Sequence, residues 1–110
     1  MKLPFPGYYP AIALDRTGVV HVVFEYRVSD KAIYAVFYTR YANGVWSPPI
    51  RLSREPYAEV PNIDVTPNGQ QVVVTYQSKT PTGVDMYVVE STNGGLNWHG
   101  LGETKNLQYE

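Results

Sequence analysis

Hydrophobic residues in this chain come in short bursts separated by turn-forming clusters. No window places apolar side chains at i, i+3, i+4 and i+7 between capping residues, so the pattern predicts strands and no helix. The bursts also recur. A shift of 51 positions lays Pro10 on Pro61, Ile12 on Ile63, Leu14 on Val65, Gly18 on Gly69, Val22 on Val73, Val23 on Val74 and Gly44 on Gly95. One added residue then brings Trp46 onto Trp98. The matched positions are turn glycines, strand apolars and a late tryptophan, which are the positions that carry structure.

Each half reads as four strands. The first runs from Pro10 to Leu14 in one copy and from Pro61 to Val65 in the other. Turns at Asp15-Arg16-Thr17-Gly18 and Thr66-Pro67-Asn68-Gly69 follow, each ending in a residue that adopts positive φ without steric cost. The second strand spans Val19–Tyr26 and Gln70–Gln77; its valine runs do not alternate, which predicts burial on both faces. Third strands are expected at Ala32–Arg40 and Val84–Ser91, and fourth strands from Val45-Trp46 and from Leu96-Asn97-Trp98. Edge continuations are expected at Ile50–Leu52 and Asn106–Gln108; Pro48 and Pro49 suit an edge, where a missing N–H costs no ladder bond. The fold class is therefore all-β, with one four-stranded antiparallel unit in residues 1–55 and a second in 56–110.

Composition narrows the function classes. Ten tyrosines raise the aromatic share to 14%, which suits pleated surfaces and leaves hydroxyls for partners. A net charge of −1 and the lack of a Lys/Arg block argue against nucleic acid and anionic membranes as partners. No cysteine is present, which removes disulfides, thiolate metal sites and cysteine nucleophiles. No run approaches the ~18 apolar residues of a membrane span. Met1–Gly7 holds two prolines and no apolar run, unlike a signal peptide, so the chain is expected to be soluble. His21 and His99 lack ligand partners at metal-binding spacing, and no nucleotide or phosphate fingerprint occurs, so no cofactor is expected.

Ser91-Thr92-Asn93-Gly94-Gly95-Leu96-Asn97-Trp98 resembles the Asp-box of sialidase-type β-propellers, Ser-x-Asp-x-Gly-x-x-Trp, with Asn93 in the place of Asp. Arg40-Tyr41-Ala42-Asn43-Gly44-Val45-Trp46 is a shorter copy that keeps Gly and Trp. A four-stranded unit repeating at roughly 40–50 residues fits the same architecture. The resemblance implies two blades, with Ser91, Asn93, Gly95 and Trp98 forming a structural turn away from the ligand face. Two blades do not close a ring, so it also implies a homo-oligomer, and a trimer of six blades is favoured by analogy with two-blade lectins. The sialidase catalytic set of arginine triad, Tyr–Glu pair and acid/base Asp does not carry over, and no catalytic residue is assigned.

The resemblance places the ligand face at the linkers before each first strand and the loops after each second strand. There it gathers Tyr8, Tyr9, Arg54, Glu55 and Tyr57 from linkers, Glu25, Tyr26, Arg27, Asp30 and Lys31 from one loop, and Tyr76, Gln77, Lys79 and Asp85 from the other. Aromatic platforms beside Arg and carboxylates suit sugar rings, which stack their C–H faces on Tyr and hydrogen-bond through their hydroxyls. A lectin-like ring is thus expected, with a protein-interaction scaffold as the alternative and a glycosidase a distant third. The first strands carry no arginine, unlike fucose-binding two-blade lectins. Asp64 lies on one of them, where strands line the ring centre of a propeller, and is expected to be a hydrogen-bonded strand residue, with a central cation or water site as the alternative.

Overall fold

The computed structural model describes residues 2–28 and 33–100. Asp30, Lys31 and the edge strand expected at Asn106–Gln108 lie outside the described residues. Strands β1 (Tyr8–Leu14), β2 (Val20–Arg27), β3 (Tyr34–Ala42) and β4 (Val45–Trp46) pair in sequence order, and β5 (Ile50–Arg51) also pairs with β3. A second sheet repeats this order with β6 (Ala58–Val65), β7 (Val72–Thr80), β8 (Gly83–Ser91) and β9 (His99–Gly100). Every pairing between these strands is antiparallel. The described residues contain no helix, and so none long and apolar enough to cross a membrane. The fold is all-β, built as two antiparallel sheets.

Strand pairing corrects the register of the repeat. Ile12 lies opposite Val22 and Ile63 opposite Val74, so Val22 corresponds to Val74 and not to Val73. The extra residue sits in the turn between the first two strands, which is Asp15–Val19 in one copy and Thr66–Gln71 in the other. With this register Phe24 matches Tyr76 and Phe37 matches Tyr87. Each pair is cross-strand and stacked, with centroids 6.1 and 5.4 Å apart. The last strand of the second sheet also differs: β9 begins at His99, beyond Trp98.

Both first strands carry a bulge at the same place. Tyr9-Pro10 and Val60-Pro61 each interrupt the ladder, and Tyr9 and Val60 adopt φ of 50° and 51°. Positive φ is unfavourable for a β-branched residue, so Val60 is held there by its surroundings. The bulge bends each strand and re-aims the residues before it.

The core lies between the sheets. Val23, Val36 and Tyr38 from the first sheet meet Ala58, Val72, Val74, Tyr76 and Val89 from the second, with Leu52 added from the connection. Each fully buried valine or leucine contributes about 1.5–3 kcal/mol. Strand β2 is buried continuously from His21 to Glu25, as its unalternating sequence predicts. Strand β7 instead alternates between buried and half-buried positions, because only one of its faces meets the neighbouring sheet.

Candidate functional site

Three polar constellations stand out, and they occupy different places. The first lies at the turn end of the molecule and is buried. Asp15 Oδ1 accepts hydrogen bonds from Thr17 N–H at 2.8 Å, Thr17 Oγ1 at 2.6 Å and Val19 N–H at 3.2 Å, which closes the β1–β2 turn. Asp15 Oδ2 lies 2.8 Å from His21 Nε2, and His21 Nδ1 lies 2.8 Å from the Tyr38 hydroxyl. An ionised Asp only accepts, so Nε2–H donates to Asp15, while Nδ1 shares its hydrogen bond with the Tyr38 hydroxyl. Burial would raise the Asp15 carboxyl, but the bonds from Thr17, His21 and the backbone outweigh it and lower the pKa to about 2. Burial pushes the Tyr38 hydroxyl well above its ordinary value. His21 and Tyr38 are fully enclosed, so this Asp–His–Tyr chain meets no substrate. Its effect is structural: Tyr38 reaches across to the second sheet, where its ring packs on Trp98 at 4.8 Å and its hydroxyl approaches Gly94 O at 3.5 Å.

The partner of that contact is the turn at 91–98. Ser91 Oγ donates to Asn93 Oδ1 at 2.8 Å and accepts Gly95 N–H at 2.8 Å. Asn93 Oδ1 also accepts Asn97 N–H at 2.9 Å, and Trp98 Nε1–H donates to Gly95 O at 2.9 Å. The four residues singled out in sequence therefore tie one turn together. Asn97 was missed; its side-chain oxygen accepts Asn93 Nδ2–H at 2.8 Å. The other copy is a tight hairpin in which Asn43 and Gly44 have φ of 54° and 80°, as a two-residue turn of this twist requires.

The second constellation lies at the opposite strand ends and holds part of the expected ligand face. Tyr8 meets Tyr34 edge-on at 6.2 Å, and Tyr57 bridges to Tyr34 through the backbone. Tyr9 is exposed at the first bulge. Glu25 is only 4% exposed, and its Oε2 accepts Val60 N–H at 2.8 Å across the two sheets. Its carboxyl is raised, chiefly by burial and further by nearby Glu59, against the lowering effect of the Val60 bond. Tyr26 packs edge-on to Phe37 at 5.9 Å on the other side of the first sheet, and Arg27 pairs with Tyr34 at the strand end.

The third is a groove of about 1050 Å³ between the β5–β6 connection and the second sheet. Tyr76, Tyr87 and Trp98 line it together with Arg51, Arg54, Glu55 and His99. The Tyr76 hydroxyl donates to Glu55 Oε1 at 2.6 Å; burial first, and then that carboxylate, raise its pKa well above the usual phenol range. Arg51 Nε–H is held by Ser53 O at 2.7 Å, and His99 Nε2 lies 3.1 Å from Glu90 Oε2. The expected ligand residues thus divide: Arg54 and Tyr76 enter the groove, while Tyr8, Tyr9, Glu25 and Tyr57 belong to the strand-end cluster. Tyr87 and Trp98 complete the groove from a distant part of the sequence. Asp64 is exposed, with Oδ1 accepting its neighbour Val65 N–H at 3.0 Å.

Among the described residues, no three His, Asp or Glu side chains come together to hold a metal ion. No family model matches the sequence, and no curated protein matches it.

Proposed function

We propose that this chain supplies two blades of a sialidase-type, Asp-box β-propeller, that three copies close a six-bladed ring, and that the ring binds carbohydrate without cleaving it. The observation that carries the carbohydrate reading is the groove. Tyr87 and Trp98 offer flat apolar faces for the C–H faces of a sugar, and Arg54, Glu55 and His99 supply hydrogen-bonding groups of both kinds around them. The repeated bulges and the turn closed by Ser91, Asn93, Gly95 and Trp98 support the blade reading. Buried Glu25 already accepts the Val60 N–H, which favours a structural over a catalytic use of that carboxylate.

A glycan array followed by calorimetry tests the reading. Binding is expected, and Arg54→Ala should weaken it about tenfold while leaving stability unchanged, because Arg54 is exposed. The absence of binding to any glycan class would overturn the lectin reading and leave a protein-interaction scaffold.

A further inference from the structure

The two sheets of one chain meet through a set of contacts, and the repeat carries counterparts of both halves of that set. Among them Tyr9, Ile12, Leu14 and Gly44 are exposed, while Val22 and Phe24 are already buried within the chain, Phe24 against Phe5. Ile63 and Val65 on β6 pack against the core between the sheets. Strand pairing makes Ile12 and Leu14 their counterparts on β1, yet these are each 67% exposed. The same holds for the polar connector. Glu25 reaches from the first sheet to the N–H of bulge residue Val60 on the second. Its counterpart is Gln77, opposite Glu59 as Glu25 is opposite Tyr8, and the counterpart of Val60 is Tyr9, with nearly the same φ. Finally, Tyr38 covers Gly95, where an added Cβ would fall on the tyrosine ring. The counterparts are Val88, which faces Thr75 as Tyr38 faces Val23, and Gly44, which has open space above it.

From these equivalences we infer that the β7–β8 face of one copy docks on the β1–β4 face of a second copy. Gln77 then accepts the Tyr9 N–H, Val88 covers Gly44, and Ile12 and Leu14 are buried. This rests on the ring reading above and specifies its joint. The occupant is another copy of this chain, because the exposed counterparts reproduce in kind an interface already formed within it. Such a head-to-tail joint uses different patches on the two partners, so it builds a ring when its rotation closes.

Native mass spectrometry and sedimentation on the whole chain test the joint. The wild-type protein should appear at a multiple of the 12.4 kDa chain mass. Leu14→Glu places a charge in the apolar joint and should abolish assembly while circular dichroism keeps its β signature. Gln77→Ala should weaken assembly, and Gln77→Glu, which copies Glu25, should retain it. Should Leu14→Glu fail to fold, the Gln77 pair decides alone. A wild-type protein that stays at 12.4 kDa at high concentration overturns the inference. So does assembly unaffected by Leu14→Glu or by Gln77→Ala. The groove lies within one chain, so monomeric Leu14→Glu should still bind any glycan that the wild type binds. A failed joint and a failed lectin reading are thereby distinguished.

Discussion

Two buried carboxylates set the response of single residues to pH, and they act in opposite directions. Asp15 has a pKa lowered to about 2 from 3.8, so the unfolded chain binds its proton first as pH falls. Its contribution, about 2 kcal/mol, is present above pH ~4 and is lost as pH falls towards ~2. Glu25 is raised by burial, so its contribution is greatest in acid and is lost as pH rises through its folded value. Urea midpoints measured across the acid range should therefore fall less steeply for Asp15→Asn than for wild type, and more steeply for Glu25→Gln. Val60 provides a separate test. Its side chain is half exposed and its φ of 51° suits glycine, so Val60→Gly should be neutral to stabilising, by up to about 1 kcal/mol, in thermal melts. None of this was legible in sequence: valine at a bulge contradicts its own preference, and Glu25, which holds the bulge N–H, comes from the other sheet.

At the scale of elements, the turns explain what could be read. Glycine, the short polar residues and tryptophan at 91–98 signal their roles locally, because each bond of that turn spans only a few residues. The Asn43-Gly44 hairpin is equally local. Register was harder. Val22-Val23 and Val72-Val73-Val74 look alike when slid by one residue, and only the ladder partners Ile12 and Ile63 distinguish them. The two turns also differ in their neighbours, which gives a prediction. Gly95→Ala should cost roughly 3 kcal/mol, since φ is 98° and the new methyl would meet the Tyr38 ring. Gly44→Ala should cost only about 1 kcal/mol, from φ of 80° with open space around it. Paired denaturation curves of the two variants check the difference.

Across the whole molecule, the sequence indicated two β units but not how they share a core. The groove escaped detection for the same reason: Arg51–Glu55, Tyr76, Tyr87 and Trp98 converge only when two sheets stack. The Asp15–His21–Tyr38 chain belongs to this scale as well, since it links the first β1–β2 turn to the second sheet's last turn. It is not duplicated, because the counterparts of Asp15, His21 and Tyr38 are Thr66, Val73 and Val88. A ring of such chains would consequently have seams of two grades, one riveted by a buried Asp–His–Tyr chain and the next without it. Under heat or dilution such a ring would fracture at every second seam and shed intact pairs of sheets, so the pair, and not the single sheet, would be the unit that survives disassembly.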